Sequence, residues 1–119
     1  MMSVKKLAVA AGLAVITFAG SANAVNSFLS GNQLYTSCSS QNNVYYQAEC
    51  LNYIIGAYDA IESVTDVINA HPFCSPIEAT KGQIRDIVIL WLQKHPEQRH
   101  FTASSDILQA LREAFPCAK

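Results

Sequence analysis

The feature that most constrains the fold of this chain is a set of four cysteines placed behind a segment that resembles a secretory signal. The 119-residue sequence contains Cys38, Cys50, Cys74 and Cys117. An even number of cysteines in a short exported chain predicts a disulfide framework, because export leads to an oxidising compartment. A metal site is the alternative, but there is no C-x-x-C pair, and His71 with Cys74 falls short of a tetrahedral zinc site. The sequence therefore predicts two disulfides.

Residues 1–24 have the three parts of a signal peptide. Lys5 and Lys6 form a positive start, Leu7 to Phe18 form an apolar run, and Ala22-Asn23-Ala24 offers the small residues of a cleavage site. A membrane anchor is the alternative, but the apolar run is shorter than the roughly 20 residues that span a bilayer. We therefore predict cleavage after Ala24, which leaves residues 25–119 as one soluble periplasmic domain.

The charge of the mature chain is modest. The full sequence carries eight Lys and Arg against nine Asp and Glu, a net charge of −1, and loss of Lys5 and Lys6 lowers it to −3. The sequence has no basic patch that would indicate nucleic-acid binding. It also has no basic amphipathic helix that would indicate binding to a membrane surface. A protein partner is therefore expected, and a basic one would be favoured electrostatically.

Hydrophobic periodicity and capping signals divide the mature chain into four helices. S-x-x-Q and T-x-x-Q capping boxes at Ser30 and Thr80 begin the first and third helices. The expected spans are Gly31 to Cys38, Tyr46 to Asn69, Thr80 to Lys94, and Thr102 or Ser104 to Phe115. The expected fold is all-α, a small compact bundle of about four helices.

The second helix has more apolar surface than one core face requires. Its first apolar stripe is Leu51, Ile54, Ile55, Tyr58, Ile61 and Ile68. A second apolar stripe beside it is Tyr53, Ala57, Ala60, Val64 and Val67. The polar edge of the helix is Asn52, Asp59, Ser63 and Asp66. Such a helix lies at the centre of a domain or carries an oligomer interface. We expect a homodimer through part of the second stripe or through the Ile89 side of the third helix. Gly56 is expected at a close backbone approach, since glycine is unfavourable inside a helix.

The last two helices each offer one apolar face. On the third helix this face is Ile84, Ile87, Val88 and Trp91. On the fourth helix it is Ile107, Leu108, Leu111, Ala114 and Phe115. The polar face of the fourth helix is Asp106, Gln109, Arg112 and Glu113. If consecutive helices run antiparallel, the first helix ends near the start of the second, and the fourth ends near the loop after the second. This topology predicts the disulfides Cys38–Cys50 and Cys74–Cys117.

No catalytic constellation emerges from the sequence. A Cys74–His71 nucleophile pair is conceivable, but an oxidised Cys74 cannot attack a substrate. His95 and His100 flank a proline turn and lack metal-ligand spacing, and neither a Gly-rich phosphate loop nor G-x-S-x-G occurs. We therefore expect no enzyme activity, no metal and no cofactor.

Several segments, in order and spacing, resemble the Rap/Tai family of type VI secretion immunity proteins. They are S-G-N-Q-L-Y-T-S-C from Ser30, C-L-N-Y-I-I-G-A-Y-D-A-I from Cys50, F-C-S-P from Phe73 with G-Q-I later, W-L-Q-K-H-P-E-Q-R-H from Trp91 and A-L-R-E-A-F-P-C from Ala110. The resemblance implies an all-helical periplasmic protein, often a homodimer. It also implies a partner, a peptidoglycan amidase toxin injected by neighbouring cells, whose active-site groove the immunity protein blocks.

Two other roles remain open at this point. One is a periplasmic acid-stress chaperone similar to the small disulfide-linked Hde type, or another non-catalytic binding protein. The other is an enzyme. A toxin gene beside this one would favour the immunity role, and acid-induced unfolding with gain of client binding would favour the chaperone.

A partner-binding element is expected in the turn between the third and fourth helices. Its candidate residues are His95, Glu97, Gln98, Arg99 and His100. Pro96 stiffens the turn, which lowers the ordering cost of binding, and an arginine such as Arg99 can anchor an interface. Phe101 is expected to tuck into the core. The alternative is a purely structural turn in which Arg99 bridges to a neighbouring carboxylate.

Overall fold

Four α-helices form a bundle in the computed structural model, which describes residues 28–119 and Gly12. The helices are α1 (Gly31–Ser39), α2 (Val44–Ile68), α3 (Lys81–Lys94) and α4 (Ala103–Ala114). The all-α prediction is confirmed, and the helix ends lie within one turn of the expected ones. The predicted cleavage site lies outside the described residues. Within residues 28–119, none of the helices combines the length and the apolar character needed to cross a membrane.

Local capping interactions explain where the helices begin. Ser30 and Thr80 both form the predicted capping boxes, with Gln33 and Gln83 as the reciprocal partners. Asn43 accepts hydrogen bonds from the amides of Tyr45 and Tyr46, so α2 starts two residues before the expected Tyr46.

Each of the four helices packs against the other three, and α2 is the longest of them. The core between them is formed by Leu34, Cys50, Ile54, Phe73, Ile84, Val88, Trp91, Leu92, Ala103, Ile107, Ala110 and Leu111. Asn69 ends α2 in the left-handed conformation, with a φ of 52°, which asparagine tolerates better than most residues. The chain can then turn back through the proline-containing loop toward α3.

Both predicted disulfides are confirmed. Cys38 and Cys50 close a loop with a sequence separation of 12, and Cys74 and Cys117 close one with a separation of 43. The first joins the end of α1 to α2, and the second joins the loop after α2 to the C-terminal segment. The amide of Cys74 also donates to the carbonyl of Phe115 at 2.8 Å, so the chain end is held by its backbone as well.

Four smaller predictions are wrong. Asp106 was expected in solvent, yet it is 2% exposed, because it shares the buried face of α4 with Ala103 and Ala110. Gly56 faces open space instead of a packed backbone. Ile89 packs against the core, and its neighbour Leu90 is the large apolar residue of α3 that is exposed.

The fourth of these is Phe101, which was expected to tuck into the core. Its side chain is 49% exposed and stacks on His100, with ring centroids 4.0 Å apart. Its backbone carbonyl is engaged by the start of α1, and this holds the residue at the surface.

Candidate partner-binding site

The turn between α3 and α4 is anchored to the first residues of α1. The amides of Gly31 and Asn32 donate to the carbonyls of Phe101 and Arg99 at 2.9 Å and 2.7 Å. Ser30 and Thr102 also form an isolated antiparallel bridge. Carbonyl groups of the turn thus accept hydrogen bonds from amides at the start of α1 that have no partner within the helix. These bonds fix the backbone of the turn at Arg99 and Phe101.

Arg99 is committed to contacts within the domain. Its Nε donates to the carbonyl oxygen of Leu92 at 2.7 Å, and its guanidinium carbon lies 3.9 Å from the centroid of the Tyr35 ring. The arginine therefore caps the end region of α3 and stacks on α1 through a cation–π contact. Its partner is a carbonyl, whereas the structural alternative expected a carboxylate.

His95 and Glu97 interact with each other at the start of the turn. His95 Nδ1 lies 3.0 Å from Glu97 Oε1, and its ring stacks on Trp91 with centroids 4.5 Å apart. The pKa of Glu97 is lowered, first by a hydrogen bond to its own backbone amide and then by the hydrogen bond from His95. Glu97 is therefore ionised across the physiological range and presents a fixed negative charge.

The surface that the turn leaves to a partner is smaller than its sequence suggests. Pro96, Glu97, His100 and Phe101 are exposed, whereas His95, Gln98 and Arg99 are partly buried. The structure thus brings the five predicted residues together in one turn, but only Glu97 and His100 among them are exposed.

A buried carboxylate lies beneath this turn. An ideal Cβ built on Gly31 would stand 1.9 Å from Asp106 Oδ2 and 2.8 Å from the Cα of Arg99, so only glycine fits between them. Asp106 Oδ2 is buried without a hydrogen-bond partner in the described part of the chain. Burial raises the pKa of Asp106 to about 6, against a smaller opposing effect of the nearby His100. The helical spacing of Ala103, Asp106 and Ala110 was the signal for this burial.

The remaining candidates for chemistry do not converge. Cys74 is held in a disulfide, and Asp59 and Asp66 are exposed on the polar edge of α2. Among residues 28–119, no group of three or more His, Cys, Asp or Glu side chains is placed to hold a metal ion.

The second apolar stripe of α2 is covered at one end only. Tyr53 and Ala57 are partly buried against the core, whereas Ala60, Val64 and Val67 are exposed, the last two by 57% and 85%. This half of the stripe is an apolar surface that the single chain does not cover.

A second exposed surface was not predicted from the sequence. The connection from α1 into α2, residues 39–46, is closed by the Cys38–Cys50 disulfide and is called the stapled corner below. Val44, Tyr45 and Tyr46 project from it and are 81%, 75% and 41% exposed. The sequence shows consecutive tyrosines after a polar turn-forming segment, but it does not show that they stay uncovered.

These features define a class: a small helical domain stapled by two disulfides, whose exposed turn and apolar surfaces suit protein binding. The comparison with known families is more specific, because the model of the Rap1a immunity proteins matches residues 30–117. The chain belongs to this family. No curated protein and no solved structure matches the chain.

Proposed function

We propose that this protein is exported to the periplasm, where it binds a peptidoglycan amidase toxin of a type VI secretion system and blocks the active-site groove. The observation that carries the proposal is the family match over residues 30–117. The two disulfides support an oxidising location, since such bonds persist outside the cytoplasm. Export would follow cleavage of residues 1–24 after Ala24.

The turn at residues 95–101 suits insertion into an enzyme groove. Its backbone is held by Gly31 and Asn32, and Arg99 fastens it to Leu92 and Tyr35. Little conformational entropy is then lost on binding, which favours affinity. Glu97 and His100 would make the polar contacts, while Arg99 would support the turn and leave the role of anchor to its neighbours.

The proposed function is tested by searching the reading frames beside this gene for an amidase and purifying its product. We expect the mature chain, residues 25–119, to form a complex with the purified amidase, to inhibit its cleavage of peptidoglycan and to protect cells that receive it in the periplasm. An amidase that stays fully active in the presence of a stoichiometric excess of the folded chain would refute the function.

The role of the turn is tested separately with Glu97→Ala and His100→Ala together. We expect weaker binding by about 2–4 kcal/mol, as is typical of interface anchors. The melting temperature should hardly change, because both side chains are largely exposed. Gln109→Ala, an exposed position on α4, is the matched control. Full protection by the double variant would make the turn structural.

We further propose a homodimer formed through the exposed half of the second α2 stripe, Ala60, Val64 and Val67. A two-fold contact would place this surface against its own copy and cover it from water. The open space at Gly56, one turn before Ala60 on the same face of α2, would allow the two helix backbones to come close.

Light scattering at tens of micromolar tests the dimer. The wild type should have the mass of a dimer, and Ala60→Arg should give a folded monomer, since a charge would be buried in the contact. Asp59→Arg, on the polar edge of α2, is the control and should remain dimeric. A monomeric wild type would contradict the proposal.

A further inference from the structure

The stapled corner, residues 39–46, presents large side chains to water without an evident need of the fold. Val44, Tyr45 and Tyr46 occupy consecutive positions and therefore fan around the first turn of α2. The rings of Tyr45 and Tyr46 meet edge to face, with centroids 6.0 Å apart. Tyrosine is enriched where proteins bind one another, because it offers a large contact area and a polar tip with few rotatable bonds.

The corner is rigid for a surface segment. The Cys38–Cys50 disulfide closes it, and Asn43 Oδ1 accepts hydrogen bonds from the amides of Tyr45 and Tyr46 at 3.0 Å and 3.2 Å. The side chain of Gln47 donates to the carbonyl of Gln41 across the same connection. The backbone beneath the two rings is therefore fixed before any partner arrives, which reduces the entropy lost on binding.

The corner itself carries no charge, and Arg85 and Asp86 of α3, which line the pocket beside Gln41 and Gln47, are paired with each other at 2.7 Å. No Asp, Glu, Lys, Arg or His occurs between Lys6 and Glu49 in the sequence. The segment from Ser39 reads S-S-Q-N-N-V-Y-Y, a mixture of tyrosine with small and amide side chains. The same mixture makes antibody binding loops effective, since tyrosine supplies rigid contact area and Ser and Asn supply adaptable hydrogen bonds.

The exposed face of α1 connects this corner to the turn proposed above. Asn32, Thr36 and Ser39 are exposed at helical spacing, and the amide of Asn32 donates to the carbonyl of Arg99 in the turn. Helix α1 has nine residues, so its two ends are separated by about 14 Å. An interface of standard size covers about 800 Å² per partner, a patch roughly 30 Å across, and can include both.

From this continuity we infer that the toxin-binding surface extends beyond the turn, along the neutral face of α1, to the stapled corner, where Tyr45 and Tyr46 act as anchors. The inference rests on the proposed function. The occupant is the amidase toxin itself, and the contacts at this end are aromatic packing and neutral hydrogen bonds. The two ends of the surface then differ in character, because the turn carries the charge of Glu97 and the corner carries none.

The test is calorimetric titration of the mature protein with the amidase identified in the test of the proposed function, inactivated at its nucleophile. Tyr45→Ser with Tyr46→Ser should raise Kd by about 30-fold or more, the effect of losing a hot spot. This ratio to wild type should be the same at about 50 mM and 300 mM salt, because screening acts on charges and leaves neutral contacts unchanged. The matched control is Ile77→Ser, a fully exposed apolar side chain on the loop before α3; its Kd should equal that of the wild type.

Three results would overturn the inference while leaving the proposed function intact. One is a Kd of the double tyrosine variant equal to that of wild type, with an unchanged melting temperature. Another is a loss of affinity that disappears at high salt. The third is conversion of a wild-type dimer to a monomer by the double variant, which would assign the corner to a contact between copies. Failure of the wild type itself to bind the amidase would instead count against the proposed function, and this surface would fall with it.

Discussion

The turn between α3 and α4 and the stapled corner between α1 and α2 are two short connections held in opposite ways. In the turn, side chains reinforce the backbone bonds to α1: Arg99 reaches the carbonyl of Leu92 and the Tyr35 ring, and His95 stacks on Trp91. In the corner, a disulfide secures the backbone, and the rings of Tyr45 and Tyr46 remain in water. The turn, whose sequence carries the charged residues, thus leaves fewer side chains for a partner than the uncharged stapled corner does.

The difference shows that charged residues are a poor guide to a binding surface in a small domain. Such a domain has little core and uses its long polar side chains for internal contacts. A covalent staple supplies the same rigidity and leaves neighbouring side chains free. The contrast predicts that the turn depends on individual side chains, whereas the corner depends on its disulfide.

The largest expected effects come from the disulfides. Loop-closure entropy predicts a loss of about 4 kcal/mol for Cys74→Ala with Cys117→Ala, and about 3 kcal/mol for Cys38→Ala with Cys50→Ala. The order follows from the sequence separations of 43 and 12. Urea unfolding of the two double variants measures both losses. Only the second variant should also expose the amides of Tyr45 and Tyr46 to hydrogen exchange while the rest of the bundle stays protected.

A reversed order of stability would show that the model of loop closure does not describe this domain. Equal protection of the corner amides in the wild type and in the Cys38–Cys50 variant would show that hydrogen bonds, and not the disulfide, hold the corner.

The junction beneath the turn is the next most sensitive point. Gly31→Ala would place a methyl group 1.9 Å from Asp106 Oδ2 and 2.8 Å from the Cα of Arg99. The second of these is a backbone atom, which cannot move aside as a flexible side chain can. We expect a loss of about 3 kcal/mol from overpacking. Gly82→Ala is the matched control, because an ideal Cβ there meets nothing closer than 3.9 Å inside α3, and it should gain up to about 1 kcal/mol. Thermal unfolding of both variants measures this contrast, and a Gly31→Ala variant as stable as wild type would refute the tight junction.

Local signals in the sequence predicted most of the fold. The capping boxes at Ser30 and Thr80, the stop at Asn69 and the two disulfides depend on nearby residues or on helix direction, so they could be predicted without a structure. Gly56 shows the limit of this reasoning. A glycine inside a helix indicates that another segment of backbone comes close, but the sequence does not show whether that segment belongs to the same chain or to a second copy.

The candidate site was less predictable for a related reason. The position of Asp106 follows from helical spacing with Ala103 and Ala110, but its polarity suggested the opposite face. The partner of Arg99 is a carbonyl at Leu92, an acceptor that every residue carries and that no sequence pattern marks. Exposure of Tyr45 depends on what other segments leave uncovered, which only the assembled bundle shows.

Arg99 gives a test of side-chain support in the turn. Arg99→Met keeps much of the aliphatic length but loses the hydrogen bond to Leu92 and the cation over the Tyr35 ring. We expect a loss of about 2 kcal/mol in the free energy of unfolding. Arg112→Met, exposed on α4, should change it by less than about 0.5 kcal/mol. If the two variants are equally stable, Arg99 is free in solution, and it returns as a candidate anchor for the toxin.

The smallest expected effect is a pH dependence that belongs to the turn and not to the corner. The pKa of Asp106 is raised from 3.8 to about 6 by burial, so between these pH values the folded protein binds more protons at this group than the unfolded chain. Its contribution to stability is present in full below the unfolded pKa and is lost as the pH rises through about 6. Asp106→Asn removes a buried charge whose pKa shift corresponds to roughly 3 kcal/mol, but it buries an unpaired amide at a cost of about 1–3 kcal/mol, so near pH 7.5 we expect a net stabilisation of about 1 kcal/mol.

The same variant should have no advantage near pH 4, where the wild-type carboxyl is already protonated in the fold. Asp59→Asn, exposed on the polar edge of α2, controls for the change in net charge and should be neutral at both values. Hydrogen exchange then locates the effect: the amides of Gly31 and Asn32 should gain protection in Asp106→Asn at neutral pH, because they bond to the turn above the carboxylate. The amides of Tyr45 and Tyr46 should not change. A gain shared by both sets would mean that the charge of Asp106 acts on the whole bundle, and the separation between the turn and the stapled corner would not hold.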